Sequence, residues 1–243
     1  MKVFGVIPAR YGSTRFPGKP LVKIKGKELI TWVIDGARQA KLVDQVLVAT
    51  DDQRIAEVVV RSGVQAIMTD SDLPSGSDRI WAAVRNQPCD VILNIQGDEP
   101  LITGGLVDAL VRPMLEDPHL EMATLAHPLS SEELVSENSV KVIVNQRSEA
   151  LYFSRFPIPY SRLKPTQGFC SLKHIGMYAY RKTFLERYCA APQAEIEQAE
   201  SLEQLRALYL GARIKVISVN QKSWGVDTPE DVAKIEQLLG DRA

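Results

Sequence analysis

Apolar runs of strand length alternate with segments of helical periodicity over the first hundred residues of the chain. Four runs carry apolar residues at nearly every position, namely KVFGVIP, QVLVAT, VQAIMT and DVILNIQ. Such runs are typical of parallel strands that are buried on both faces. Helical spacing marks the segments between them, ELITWVIDGARQAKL, RIAEVVVRSG and SDRIWAAVRN, the last with Ser75 or Ser77 as its expected N-cap. The alternation predicts an α/β fold with a doubly wound, mostly parallel sheet and right-handed crossovers.

After about residue 120 the pattern changes, because strand-like segments follow one another without long helices between them. These segments are EMATLAHPL, SVKVIVN, EALYFSR and KHIGMYAYR, followed by IEQAESLEQLRALYLG as one long helix. A late strand, RIKVISVN, and a last helix, TPEDVAKIEQLL, are expected to return to the main sheet. We therefore predict an α/β domain over 1–120 and 215–243, with a smaller α+β insertion over 121–214, in one continuous globular unit.

Composition and charge narrow the possible functions. The 243 residues are 45% hydrophobic and 24% charged, with a net charge of −1, so no global basic field is available to hold nucleic acid. No apolar run approaches the length of a membrane span, and the first residues lack the layout of a signal peptide. The three cysteines have no CxxC spacing. We expect reduced thiols in a cytoplasmic protein that neither binds nucleic acid nor inserts into a membrane.

The first strand runs directly into a glycine-rich cationic segment, IPARYGSTRFPGKPL, which contains Arg10, Arg15 and Lys19. Backbone N–H groups and cations in a loop at the carboxyl end of a strand can bind a polyphosphate. The segment is not a P-loop, because its glycines enclose five residues instead of four and Pro20 stands where Ser or Thr would hold Mg²⁺. An exposed turn with solvated charges is an equally good interpretation of this loop alone.

Two acidic stretches favour the phosphate-binding interpretation. Asp98 follows the fourth strand in NIQGDEPLI, and Asp227 precedes the last helix in WGVDTPED. If both loops lie at the same sheet edge, the two carboxylates can hold one Mg²⁺ against substrate phosphates. The alternatives are a turn residue for Asp98 and a helix-start signal for Asp227. Glu99 is left out of the site, since Pro100 after it indicates a structural turn.

Seven motifs occur in order along essentially the whole chain. They are IPARYGSTRFPGKPL, SGSDR, NIQGDEP, ALYFSR, KHIGMYAYR, SLEQLRAL and GVDTPED. On these motifs the chain resembles the 3-deoxy-manno-octulosonate cytidylyltransferases, or CMP-Kdo synthetases, of Gram-negative lipopolysaccharide synthesis. The opening loop is shared with other sugar nucleotidyltransferases, whereas SLEQLRAL and GVDTPED are more specific.

The resemblance implies a nucleotide-diphospho-sugar transferase-like fold, a homodimer, and the activation of a sugar acid by CTP with release of pyrophosphate. It implies that Arg10, Arg15 and Lys19 hold the triphosphate and that Asp98 and Asp227 bind Mg²⁺. It further places CTP against a second set of residues, Ala9, Arg10, Lys19, Ser75, Arg79 and Gln96. Pro74 stands where many relatives carry Gln, so a nucleotide contact available to them is lost here.

The resemblance also places the sugar acid on the insertion. A carboxylate substrate calls for a cation, ideally arginine. His174 and Tyr178 share a face if their segment is a strand, and Glu200 and Gln204 share a face if theirs is a helix. The apolar character of YFSRFPIPY suggests the dimer interface. The residues expected to contact Kdo are Arg155, Arg162, His174, Tyr178, Glu200 and Gln204.

The sequence leaves three alternatives open. The first is a cytidylyltransferase for another acid, either sialate or the 8-amino analogue of Kdo. The second is a nucleotidyltransferase that uses UTP or dTTP on a neutral sugar phosphate. The third is a nucleotide-binding protein without catalytic activity, although such a protein would not need both Asp98 and Asp227.

Overall fold

The computed structural model describes residues 1–12, 16–160, 162 and 171–240. The strands in this part of the chain are β1 Val3–Ala9, β2 Lys23–Ile24, β3 Lys27–Glu28, β4 Gln45–Thr50, β5 Gln65–Met68, β6 Val91–Asn94, β7 Met122–Pro128, β8 Lys141–Val144, β9 Ala150–Ser154, β10 Ser171–Arg181 and β11 Ile214–Ser218. The α-helices are α1 Leu29–Ala37, α2 Gln53–Arg61, α3 Gly76–Val84, α4 Gly104–Glu116, α5 Ser131–Val135, α6 Lys182–Ala190, α7 Glu195–Glu200, α8 Gln204–Tyr209 and α9 Pro229–Gly240. The predicted α/β fold, with helices flanking a mostly parallel sheet, is confirmed.

The chain divides into two compact units. The first comprises residues 1–111 and 223–243, and the second comprises residues 112–222. Among the residues that the structure describes, none of the helices has the length and apolar character that crossing a membrane requires.

Parallel strands form the centre of the first unit, in the order β6-β1-β4-β5. Strand β1 pairs on both sides and is buried at almost every position, which explains its continuous apolar sequence. The chain proceeds from β1 to β4 and β5 on one side and later adds β6 on the other. The winding direction therefore reverses between β1 and β6. In open α/β sheets, ligands bind beyond the carboxyl ends of the strands at such a reversal.

Strand β7 organises the second unit, pairing antiparallel with β10 and parallel with β11. Strand β8 pairs antiparallel with both β10 and β9. The β7–β10 register shifts between Ile175 and Tyr178, so β10 bulges at this point. At the end of β10, the guanidinium of Arg181 donates to the carbonyls of Met114 and Leu120, at 2.6 and 3.3 Å. These bonds satisfy carbonyl groups at and just beyond the end of α4.

Two elements of the second unit differ from the sequence-based expectation. The expected single helix over IEQAESLEQLRALYLG is wrong, because Ser201 adopts a left-handed conformation, with φ 52° and ψ 48°, between α7 and α8. Helical periodicity continues across such a break, so the pattern alone did not reveal it. The late strand β11 pairs with β7 and lies within the second unit, whereas the sequence had assigned residues 215–243 to the nucleotide-binding part.

Candidate active site

The carboxyl ends of β1 and β6 lie side by side, and their backbones approach closely just beyond the strands. A Cβ atom on Gly97 would lie 2.8 Å from the carbonyl oxygen of Pro8, so only glycine fits at this position. Gly18, with φ 72°, turns the chain into a short 3-10 helix over Lys19–Leu21. The Gly18 N–H donates to the Tyr11 carbonyl at 2.9 Å. This bond closes the β1 loop and sets where the Lys19 side chain begins.

Lys19 lies between the two aspartates that the sequence proposed as a pair. Its ammonium nitrogen is 2.6 Å from Asp98 Oδ2 and 3.4 Å from Asp227 Oδ1. The Lys19 side chain is only 16% exposed, whereas that of Asp227 is 52% exposed. One cation and two carboxylates, from three distant parts of the sequence, therefore meet at the reversal point of the sheet.

A hydrogen bond between backbone groups joins the two loops that carry Asp98 and Asp227. The Val226 N–H donates to the Asp98 carbonyl at 2.9 Å. Val226 is fully buried in an apolar cluster with Ile24 and Leu29, so the residue next to Asp227 is firmly anchored. The positions of both aspartates thus follow from packing and from main-chain hydrogen bonding.

Asp231 fixes the backbone around Asp227. Its Oδ2 accepts hydrogen bonds from the N–H groups of Asp227 and Thr228, both at 2.9 Å. Burial raises the pKa of Asp231, but these hydrogen bonds outweigh burial and leave the pKa below its ordinary value. Helix α9 begins at Pro229, within the segment TPEDVAKIEQLL that was predicted to be helical. The same motif, DTPED, therefore both starts helix α9 and fixes the backbone at Asp227.

Asp98 and Asp227 suit a divalent cation. Carboxylate oxygens are the ligands that Mg²⁺ prefers, and the Lys19 ammonium shows that the position between them favours positive charge. Within the described residues, no group of three or more His, Cys, Asp or Glu side chains could hold a metal ion. A bound Mg²⁺ would therefore need further ligands, and substrate phosphate oxygens are its usual ones.

The other residues expected to bind the triphosphate are less defined. Arg10 is exposed directly after β1, at the same sheet edge as Lys19. The expectation for Arg15 lies outside the described residues. Ala9 ends β1 and is buried, so it could offer only backbone groups to a ligand. Gln96 follows β6, and its Nε2 donates to Asn94 Oδ1 at 3.2 Å.

Arg79 and Ser75, expected to contact the nucleotide base, are both engaged within the protein. The buried Arg79 guanidinium donates to Thr69 Oγ1 at 2.6 Å and to Asp51 Oδ2 at 3.0 Å. The Ser75 hydroxyl donates to Asp78 Oδ2 at 2.7 Å and accepts from the Asp78 N–H, which confirms Ser75 as the N-cap of α3. Asp51 was missed from the sequence, although its place directly after β4 was a signal.

Buried polar side chains lie along β7, β10 and α8 in the second unit. The rings of His174 and Tyr178 lie 5.4 Å apart, on the shared face that the sequence predicted. His174 Nε2 lies 2.9 Å from Thr124 Oγ1. The Thr124 hydroxyl has its own acceptor, the Met177 carbonyl at 2.8 Å, so His174 must be the donor. Burial lowers the pKa of His174 to about 3, so the ring is neutral at pH 7.

Gln204 carries an unused donor beside this pair. Its Oε1 accepts the Tyr178 hydroxyl at 3.1 Å, while its buried Nε2 has no hydrogen-bond partner among the described residues. Leaving a buried amide donor unpaired is costly, so such a group points to a ligand or a water.

A buried ion pair between Glu197 and Arg206 connects α7 with α8, the helix that carries Gln204.

Arg155 and Glu200 contact each other and the surrounding backbone. Glu200 accepts from the Ser154 hydroxyl at 2.6 Å and from the Arg155 N–H at 2.8 Å. The Arg155 guanidinium donates to backbone carbonyls, including that of Glu200 at 2.8 Å. The expected shared helix face of Glu200 and Gln204 is wrong, because the break at Ser201 puts them on different helices.

Lys141 is a fully buried charge that the sequence analysis did not single out. Its ammonium donates to the carbonyls of Ser136, at 2.8 Å, and of Arg155. Burial lowers the pKa of Lys141, and the negative charge of Glu200 partly offsets that effect. A single lysine within the apolar strand SVKVIVN was the available sequence signal for Lys141.

Thr124, which contacts His174, gave no signal in the sequence, because a threonine is ordinary in a strand. Arg162 is exposed.

Comparisons with known proteins match most or nearly all of the chain to cytidylyltransferases. A family model described as cytidylyltransferase matches residues 4–214. A protein of Bdellovibrio bacteriovorus named 3-deoxy-manno-octulosonate cytidylyltransferase is 61% identical over 242 residues, 98% of each chain. An Escherichia coli protein of the same name is 46% identical over 234 residues, covering 96% of this chain and 94% of that one.

Solved structures extend the comparison to the fold. A structure of CMP:2-keto-3-deoxy-manno-octonic acid synthetase complexed with CTP has a TM-score of 0.95 and 45% identity, with both chains covered completely. The 4-diphosphocytidyl-2C-methyl-D-erythritol synthase of Anaerococcus prevotii has a TM-score of 0.66 and 14% identity, with 98% of each chain covered. At that identity the second likeness concerns the fold alone.

Proposed function

The chain belongs to the cytidylyltransferase family, and we propose on that premise that it transfers the CMP group of CTP to 3-deoxy-manno-octulosonate (Kdo), releasing pyrophosphate. The similarity to proteins named for this reaction extends over essentially the whole chain. The structural observation that carries the proposal is Lys19 between Asp98 and Asp227 at the reversal point of the parallel sheet. This arrangement suits a nucleoside triphosphate with its metal ion.

In the reaction, the anomeric hydroxyl oxygen of the sugar acid forms a bond to the α-phosphorus of CTP. The bond from that phosphorus to the bridging oxygen of the β-phosphate breaks, pyrophosphate leaves, and the hydroxyl proton passes to solvent. Negative charge grows on the departing pyrophosphate, so cations fixed beforehand stabilise the transition state. Lys19 and the exposed Arg10 supply such cations, and we assign the same role to Arg15.

Asp98 and Asp227 would hold a Mg²⁺ ion, which when bound neutralises phosphate charge and polarises oxygens at the reacting phosphorus. The chain's own contribution is to keep both carboxylates at one place. The Val226 N–H bond to the Asp98 carbonyl does this on one side, and the Asp231 carboxylate does it on the other. Both of these hydrogen-bond contacts are made with backbone groups of the segments that carry Asp98 and Asp227.

For the base and ribose of CTP we propose contacts from Ala9, Ser75 and Gln96. Arg79 is assigned a different role, because its guanidinium donates hydrogen bonds to Asp51 and Thr69. We propose that Arg79 positions the loop after β4, and through it the β1 loop, instead of pairing with cytosine.

The second unit supplies the groups proposed for the sugar acid. Gln204 Nε2, which has no hydrogen-bond partner among the described residues, can donate to a sugar hydroxyl or carboxylate, and the neutral His174 and Tyr178 line the same face. Exposed Arg162 is the cation we propose for the carboxylate, since the Arg155 guanidinium is occupied by backbone carbonyls. Glu200 and Arg155 then act mainly by fixing the end of β9.

We propose that the protein is a homodimer that works in the cytoplasm, where CTP is made. Three large apolar side chains of the second unit are exposed in the segment noted from the sequence or next to it, namely Leu151 at 57%, Phe156 at 72% and Tyr160 at 87%. Exposed apolar side chains grouped in this way mark protein interfaces. The product would serve lipopolysaccharide synthesis, as in the family.

The test is pyrophosphate release with CTP and Mg²⁺, offered separately Kdo, its 8-amino analogue and N-acetylneuraminate, with UTP and dTTP replacing CTP in parallel. Release with CTP and Kdo is the expected result. Release only with another acid would keep the nucleotide site and discard the sugar assignment. No release with any pair would overturn the proposal and favour a nucleotide-binding protein, which calorimetry with CTP would then identify.

A further inference from the structure

The Lys19 ammonium lies at the place where the metal ion of the proposed reaction would bind. It contacts both carboxylates, at 2.6 Å to Asp98 and 3.4 Å to Asp227, and its side chain is 16% exposed. Two adjacent carboxylates repel each other, and a cation between them removes that repulsion.

The backbone of Lys19 is held by hydrogen bonds, whereas its ammonium lies at the end of a long side chain. The 3-10 turn is held by the Leu21 N–H to the Gly18 carbonyl at 2.9 Å and by the Lys19 N–H to the Phe16 carbonyl at 3.1 Å. Beyond this fixed point are four methylene groups with rotatable bonds. The ammonium can therefore leave the carboxylates while the loop keeps its conformation.

The described residues offer few protein ligands for tight metal binding. The described residues contain no third acidic, histidine or cysteine ligand beside Asp98 and Asp227. A metal ion entering the free protein would have to displace the Lys19 ammonium and would gain only two carboxylates. A metal ion arriving with a triphosphate brings phosphate oxygens, and these give the displaced ammonium a new partner.

We propose that Lys19 is a placeholder cation, meaning that its ammonium occupies the position between Asp98 and Asp227 when no metal ion is bound. This proposal rests on the function proposed above. In the free protein its ammonium holds Asp98 and Asp227 together and keeps divalent ions out. When the metal–nucleotide complex binds, the ion takes the two carboxylates and the ammonium moves to the phosphates. Lys19 thereby couples metal binding to nucleotide binding, in addition to its electrostatic role in the reaction.

The experiment measures divalent-ion binding to the free protein, with no nucleotide present. Manganese is titrated into wild type, Lys19→Met and Lys19→Arg, and free Mn²⁺ is followed by electron paramagnetic resonance. Removing the competing charge is expected to tighten Mn²⁺ binding about tenfold in Lys19→Met, while Lys19→Arg binds as weakly as wild type. Adding Asp98→Asn to Lys19→Met should abolish the gain. Lys23→Met, an exposed lysine of β2, is the matched control and should bind like wild type.

Unchanged or weaker Mn²⁺ binding in Lys19→Met would overturn the placeholder role. If that variant does not fold, judged by circular dichroism, Lys19→Gln replaces it with the same expectation. Pyrophosphate release by wild type is measured independently. Pyrophosphate release by wild type without any gain in Mn²⁺ affinity in Lys19→Met would reject only the placeholder role. A gain in Mn²⁺ affinity without pyrophosphate release would reject the proposed reaction but keep a cation site that Lys19 blocks in the free protein.

Discussion

The guanidinium of Arg79 and the carboxylate of Asp51 form a buried ion pair, with 3.0 Å between Nη2 and Oδ2. The second carboxylate oxygen, Oδ1, accepts the Tyr11 N–H at 3.2 Å. One pair therefore connects helix α3, the end of β4 and the beginning of the β1 loop. Arg79, a residue expected to contact the nucleotide, is thus connected through Asp51 to the start of the loop proposed to bind the triphosphate.

Arg79→Met should destabilise the protein and weaken CTP binding together. Breaking a buried ion pair leaves an uncompensated charge, so the free energy of unfolding should fall by about 3 kcal/mol. Urea unfolding measures this loss, and the KM for CTP reports the loosened loop. Asp51→Asn combined with Arg79→Met should cost less than the sum of the single changes. Arg85→Met, at the exposed end of the same helix, serves as control. A wild-type unfolding curve for Arg79→Met would refute the pair's role.

Asp98→Asn and Asp227→Asn should each lower kcat by about a hundredfold or more, since they remove negative charge that, in the proposed reaction, would hold the ion at the reacting phosphates. Both side chains are partly exposed, so the unfolding free energy should change by less than about 1 kcal/mol. Initial rates of pyrophosphate release and urea curves measure the two effects. Asp90→Asn is the matched control, because Asp90 accepts the Lys2 N–H near the amino ends of β1 and β6. Full activity of either site variant would contradict the metal assignment.

Gln204→Glu should raise the KM for the sugar acid about tenfold or more and leave the KM for CTP unchanged. The substitution keeps an acceptor for the Tyr178 hydroxyl. It replaces the amide donor, which has no partner within the described part of the chain, with a negative oxygen that would repel a carboxylate substrate. Steady-state kinetics with each substrate varied in turn separates the two constants. Gln198→Glu, on the exposed face of α7, makes the same charge change away from the site. Equal KM values for Gln204→Glu and wild type would place the sugar elsewhere.

Stability should fall as the pH drops below about 6.5, in part because of His174. Its pKa is about 3 in the folded protein, against 6.5 for an ordinary histidine. Between these values the unfolded chain binds a proton that the folded protein does not. His174 should therefore contribute a loss of up to about 1.4 kcal/mol per pH unit on acidification. Urea unfolding at pH 7, 6, 5 and 4 measures the slope.

The slope should be smaller in His174→Gln, whose amide can still donate to Thr124. His119→Gln, at an exposed position, should keep the wild-type slope. An identical slope in His174→Gln would show that the ring is not held neutral by burial.

The sequence alone determined the parts of this protein that depend on local pattern. Buried parallel strands need continuous apolar runs, so β1, β4 and β6 were visible directly. Pro229 as the first residue of α9 follows from its fixed φ. The resemblance rested on short motifs and identified the reaction, because those motifs combine loop geometry with charged side chains.

The tertiary structure decided which partners the charged residues have. Nothing near Arg79 in the sequence indicates that Asp51, 28 residues away, occupies its guanidinium. The break at Ser201 is spanned by the buried Glu197–Arg206 ion pair, and the helical periodicity of the segment does not reveal it.

Lys19 shows the same division most clearly. Its sequence neighbours indicate a cationic phosphate-binding loop, but its ion pairs reach across 79 and 208 residues. Side chains near in space and distant in sequence interact through geometry that only the folded chain creates. Local pattern therefore specified the elements and the chemistry available, while long-range contacts determined which charged side chains meet beyond the strand ends and which form ion pairs inside the protein.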